Sequence, residues 1–155
     1  MNLSFTSLLL IAVRAEDGST MKIHHIAYAV TSIKKSKIKF EDLGFKATEM
    51  EPVNDYIRNI KILFMMHDES KTLIELVEPL NDTSPVSNLC KKMHGCASPY
   101  HICYEVENLS EALLEFKGKG YLVTQKPAPA VAIEGKNVAF LFQKDVGIIE
   151  LVERL

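Results

Sequence analysis

The sequence predicts an α+β fold: two tandem βαβββ modules that share one mixed sheet around a cavity. Three observations carry that expectation. A shift of 76 positions lays HICYEVENLSEALLEFKGKGY (101–121) over HIAYAVTSIKKSKIKFEDLGF (25–45), so that His25 meets His101, Tyr28 meets Tyr104 and Gly44 meets Gly120. A shift of 75 lays the IELVE at 149–153 over the IELVE at 74–78. Two matches in the same order and nearly the same register mark a duplication rather than a chance likeness of strand-helix units. Each copy reads as strand, helix and further strands: the helix is marked by apolar residues at helical spacing in the second copy and by cap and stop residues in the first.

Residues 1–20 stand apart as an N-terminal extension. Their apolar run at 8–13 is too short to cross a bilayer, which takes about 20 residues, and no Lys or Arg precedes it as a secretory signal requires. The compact domain is expected from 21 to 155. Module one (21–80) opens with a strand at 22–30. A helix follows, capped by Thr31 or Ser32 and stopped by Gly44. Strands are then expected at 46–49, 59–66 and 73–78. The connector (81–98) reads as a short linking helix, with Ser84 as cap, Pro85 in the first turn and Gly95 as stop. Module two (99–155) repeats the plan: a strand at 100–106, a helix whose apolar face is Leu109, Ala112, Leu113 and Phe116, and strands at 122–125, 138–143 and 147–152.

Composition narrows the function. Of 155 residues, 47% are hydrophobic and 25% charged, with a net charge of -2. That is an ordinary globular balance, and it gives no basis for binding nucleic acid or an acidic membrane surface. Three cysteines, Cys90, Cys96 and Cys103, are an odd number and argue for a reducing compartment, the cytoplasm. Cys90, His94, Cys96 and His101 lie close in sequence but lack a C-x2-C hook, so the first three read as linker residues.

Strand alternation sorts the chemistry. Ile26, Tyr28 and Val30 share one face with their bulky mates Ile102, Tyr104 and Val106, and these faces should meet the helices. His25 and His101 fall on the opposite faces, and His24 should point away from them. In the last strands Glu75 and Glu150 alternate with Ile74, Leu76, Ile149 and Leu151. A carboxylate inside an apolar run is costly to bury without a partner. Each module thus contributes one His and one Glu to the enclosed side. Two imidazoles and two carboxylates suit one divalent metal ion, zinc, cobalt, nickel or manganese.

The pattern H-I-x-x-x-V, IEL, H-I-x-x-E-V and G-I-I-E-L resembles the vicinal oxygen chelate superfamily over about 21–155. That superfamily includes glyoxalases, methylmalonyl-CoA epimerases, extradiol dioxygenases and bleomycin-resistance proteins. IELVEPLNDTSPV followed by YHICYEV is most similar to the methylmalonyl-CoA epimerase and glyoxalase-like branch. The resemblance implies a curved sheet around a metal-binding cavity, with His25, Glu75, His101 and Glu150 as ligands. It implies proton transfer next to the carbonyl of a small carbonyl or acyl-thioester substrate, with Glu75 or Glu150 as the catalytic acid and base if one loosens from the metal; Glu105, on the same strand face as His101, is a further candidate. It also implies a homodimer. A lactoylglutathione lyase-like isomerase and a non-catalytic binding or resistance protein are the alternatives. The chain departs from the family in two places. The central strand RNIKILFMM carries Lys61 and no further acid, and FQKDVG replaces a frequent His-Pro-Lys before the last strand. No glutathione-recognising arginine can be assigned: Arg58 is the only Arg of module one, and Arg154 lies near the C-terminus.

Overall fold

The computed structural model describes residues 21–154; the reading of 1–20 lies outside the described residues. In order the elements are β1 (Lys22–Ala29), α1 (Ile33–Glu41), β2 (Phe45–Ala47), β3 (Val53–Asp55), β4 (Ile60–His67), β5 (Leu73–Pro79), α2 (Ser87–Lys92), β6 (Ser98–Val106), α3 (Leu109–Gly118), β7 (Leu122–Pro129), β8 (Asn137–Gln143) and β9 (Gly147–Glu153). A single 3₁₀ turn, Val131–Ile133, joins β7 to β8.

These strands form one sheet in the order β2-β4-β5-β1-β6-β9-β8-β7, with β3 paired beside β4. β1 runs parallel to β5, and β6 parallel to β9. β1 and β6 are antiparallel and join the two halves within one chain. The fold is therefore the expected mixed α+β sheet, with one correction: the first half carries an extra strand, β3. Three residues are too few to show an alternation. The sheet curls until its margins meet. From the turn after β3, the Arg58 guanidinium donates to Ala128 O (3.0 Å) and Pro129 O (2.8 Å) on β7.

The alternation read from the sequence separates two apolar layers. Leu63, Met65, Ile74 and Leu76 pack under α1 with Val30 and Ile33. Leu141, Ile149 and Leu151 pack under α3 with Leu109, Leu113 and Phe116. On the other side of the sheet Ala27, Ile62, Phe64, Val77, Cys103 and Phe140 form the floor of a cup. Met65 accordingly lies under the helix and not in the cup.

The two longer helices are each started by a side-chain cap, Ser32 for α1 and Asn108 for α3. The repeated IELVE adds a second anchor. Its last carboxylate accepts the first helical N–H of its own half: Glu78 from Ile33 N at 2.6 Å, and Glu153 from Leu109 N at 3.1 Å. Free N–H groups at a helix start are a favourable place for negative charge. Lys61 points to this helical side, 3.3 Å from Glu78. α2 starts later than expected. Ser84 forms a turn that accepts Ser87 N at 3.1 Å, and Val86 takes the cap position without a side-chain bond. Gly95 does end that segment, at φ +81, a left-handed conformation that costs glycine little.

Candidate metal centre and active site

The four central strands set the site. In one cross-strand row Ala27 is flanked by Glu75 and His101; in the other, Cys103 is flanked by His25 and Glu150. Directly paired residues share a face, so both rows project into the cup. Ala27 and Cys103 are mates in the duplication, and their small side chains leave room for the longer ones on either side.

The four polar ends converge. His25 Nε2 stands 3.3 Å from His101 Nε2, 3.4 Å from Glu75 Oε2 and 3.3 Å from Glu150 Oε2. His101 Nε2 stands 3.6 Å from Glu75 Oε2 and 3.2 Å from Glu150 Oε2. Every one of the four residues is 5% exposed or less. Ligands at about 2.0–2.2 Å from a shared ion stand roughly 3 to 3.5 Å from one another, so these residues fit a divalent ion. Among the described residues His25, Glu75 and His101 form one compact group of metal donors, and His24, His25 and Cys103 form another; neither includes Cys90, His94 or Cys96.

The electrostatics follow from this packing. Burial opposes charge on His25, but the Glu75 and Glu150 carboxylates outweigh it and raise the imidazole to about 9. Burial also opposes charge on Glu150, yet hydrogen bonds from His101 and His25 hold it well below the usual carboxylate range. Burial, then the nearby Glu75 and Glu150, push the Tyr100 phenol up to about 12. Burial, then Glu150, push the Cys103 thiol far up.

The site opens on a cavity of about 300 Å³, lined among others by Glu75, His101, Glu150, Tyr100, Ile62 and Phe140. At one wall Arg58, 7% exposed, donates to Asp55 Oδ2 at 2.7 Å. Sequence reasoning assigned neither residue a place. The spacing Asp55-x-x-Arg58 before a strand was the available signal, since Asp55 Oδ1 also accepts the Arg58 backbone N–H at 3.1 Å. Glu105 is tied instead to Arg154, at 3.2 Å. The expectation that His24 points outward is corrected. A β-bulge between Ile23 and His25 turns it into the cup, where its Nδ1 lies 2.7 Å from His25 Nδ1. Burial, then His25, lower the His24 imidazole from its ordinary value.

A curled sheet of this order around paired His and Glu side chains defines a class. The chain belongs to the Glyoxalase/Bleomycin resistance protein/Dioxygenase superfamily, whose model matches residues 24–140. It is similar to the mitochondrial methylmalonyl-CoA epimerase of Dictyostelium discoideum, at 30% identity over 86% of this chain and 78% of that one. A solved structure of a hypothetical protein from Bacillus halodurans matches with a TM-score of 0.74 and 28% identity, covering 88% of this chain and 96% of that one. A methylmalonyl-CoA epimerase solved in complex with methylmalonyl-CoA and NH4+ has the same fold, with a TM-score of 0.71 at 20% identity over 87% of this chain and 95% of that one. With these relatives the chain is an enzyme of that superfamily, of the epimerase type. Among the described residues no helix is long and apolar enough to cross a membrane.

Proposed function

We propose that this enzyme epimerises a short acyl thioester of the methylmalonyl-CoA type, by removing the proton α to the thioester carbonyl and returning it from the other side. The observation that carries the reading is the sheet order β5-β1-β6-β9. It sets Glu75 and Glu150 on opposite flanks of the His25–His101 pair. A racemising reaction needs a proton acceptor on one face of the carbon and a donor on the other. Two flanking carboxylates meet that need without the further acid that β4 lacks.

His25, Glu75, His101 and Glu150 would hold one divalent ion, zinc, cobalt, nickel or manganese. When bound, such an ion draws charge from a carbonyl oxygen and makes the neighbouring C–H more acidic. In the proposed step one carboxylate takes the α-proton onto an oxygen, and the other, freed from the ion and protonated from solvent beforehand, gives its proton to the opposite face, so the two exchange protonation states. Tyr100 stays protonated at neutral pH, so its hydroxyl donates to a substrate oxygen. Ile60, Ile62, Phe140 and Ile148 give the cavity apolar walls. A volume of about 300 Å³ suits the acyl head alone, and the carrier then runs out through the mouth. A lyase acting on glutathione conjugates gains no support from Arg58, whose terminal nitrogens are engaged by Asp55, Ala128 and Pro129. A homodimer, on the resemblance alone, and the cytoplasm, on the odd number of cysteines, complete the proposal.

The test is solvent exchange. Metal-loaded enzyme with either epimer of methylmalonyl-CoA in D2O should convert it to the other with deuterium at the α-carbon. Retention of the α-hydrogen and of configuration in both epimers sinks the reading.

A further inference from the structure

The β1–β6 pairing contains two bulges, not one. Between Ile23 and His25 strand β1 carries one extra residue, His24; between Ala27 and Tyr28 strand β6 carries one extra residue, Tyr100. These two residues are mates at the 76-residue shift. The duplication therefore kept a bulge just before each candidate ligand histidine. A bulge sends two consecutive side chains to the same side of the sheet and re-aims them. Here it brings His24 and Tyr100 into the cup beside His25 and His101.

The two halves use this device differently. Tyr100 stacks edge-on against His101 with ring centroids 4.9 Å apart, and His101 Nδ1 is buried without a hydrogen-bond partner. His24 instead faces His25 nitrogen to nitrogen, at 2.7 Å. His25 is wholly buried, and Phe64 packs edge-on against it with centroids 5.1 Å apart. Its Nε2 is the atom that points at Glu75, His101 and Glu150.

We infer that His24 is a positioning residue for the metal centre. It accepts the Nδ1–H of His25, which fixes the His25 ring and leaves Nε2 as the lone-pair nitrogen that faces the other donors. The chemistry is that of a ligand histidine whose second nitrogen is tied to an acceptor, with the unusual choice of a second imidazole as acceptor. His24 touches neither substrate nor ion in this role. The inference rests on the metal reading above, and the experiment separates the two.

The measurement is made on the whole chain, stripped with a chelator and reloaded with Zn2+. Zinc affinity is read by competition with a chromophoric chelator for wild type, His24→Phe, His24→Leu and His24→Asn. Removing the acceptor with Phe or Leu should weaken zinc by about 10–100-fold. Asn, whose side-chain oxygen can occupy the place of Nδ1, should recover most of the loss. In the zinc-loaded wild type, nitrogen NMR should show a coupling across the hydrogen bond between the two Nδ1 atoms. That readout needs no variant, so a misfolded His24→Phe does not remove the test. Equal affinity for wild type and the apolar variants, equal loss in all three variants, or a wild type without the coupling would each overturn the role of His24. A wild type that takes up no zinc, cobalt, nickel or manganese would overturn the metal reading, and this inference with it.

Discussion

Glu75 on β5 and Glu150 on β9, at opposite sides of the β1–β6 pair, reach the same imidazole nitrogen, their Oε2 atoms 3.4 and 3.3 Å from His25 Nε2. If the two carboxylates serve opposite faces of one carbon, Glu75→Gln and Glu150→Gln should fail differently. Each should slow epimerisation by about 10²–10⁴-fold. Each should still wash deuterium into one epimer of the substrate while leaving the other untouched, and the two variants should spare opposite epimers. Mass spectrometry of each epimer after incubation in D2O reads this directly. Identical behaviour of the two variants toward both epimers would refute the division of labour.

Metal uptake should release protons. In the metal-free protein His25 titrates at about 9, so it carries a proton at pH 7 that an ion must displace. Calorimetry in buffers of different ionisation enthalpy should find about one proton released per ion at pH 7 and little release near pH 10. The metal-free protein should also have a defined stability window. His25 is raised above its unfolded value, so its contribution is complete below about pH 6.5 and is lost as the pH rises through about 9. Glu150 is held below its unfolded value, so its contribution is present above about pH 4.5 and is lost as the pH falls. The melting temperature of the stripped protein should peak between these limits. A melting temperature that rises from pH 6.5 to 9 would contradict the assignment.

The Arg58 clamp should matter for stability more than for chemistry. Arg58→Ala would leave the Asp55 carboxylate buried at 2% exposure without its partner, and would strip Ala128 O and Pro129 O of a donor. A loss of about 3–5 kcal/mol in urea unfolding is expected. The double change Asp55→Asn with Arg58→Met should cost clearly less, because no lone charge remains. Equal losses in the two proteins would show that the ion pair itself is unimportant.

The cysteines should differ sharply in reactivity. Cys96 is exposed, whereas Cys90 and Cys103 are buried with their thiols raised. An alkylating reagent at pH 8 should label Cys96 alone until the chain is unfolded, since the thiolate is the reactive form. Mass mapping of the labelled peptides checks this. Cys103→Ala, which copies Ala27 from the other half, should be tolerated with zinc affinity unchanged.

Much of this could be read from the chain because it depends on short-range periodicity. Strand alternation alone separates His25, His101, Glu75 and Glu150 from the faces that pack under the helices, and the 76-residue shift ties the two halves together. What was hidden depends on partners distant in sequence. The bulges at His24 and Tyr100 exist only in the register between β1 and β6, so uniform alternation sends His24 to the wrong side. Arg58 meets Ala128 and Pro129 only because the sheet curls. The second glutamate of each IELVE caps a helix some 45 residues earlier, Glu78 on Ile33 and Glu153 on Leu109. Ser84 is a residue type that caps helices, but Pro85 and Val86 carry the turn two residues further before α2 begins.

The antiparallel β1–β6 seam places an approximate twofold rotation axis between His25 and His101, normal to the sheet. A flat, deprotonated carbon lying on that axis meets the same surroundings on its left and on its right. A protein that must bind both mirror-related forms of a stereocentre, and cross between them, then needs no separate solution for each hand. The rotation supplies the second from the first. The departure from that symmetry beside the two histidines is His24 against Tyr100, a nitrogen facing His25 in one half and a ring edge against His101 in the other.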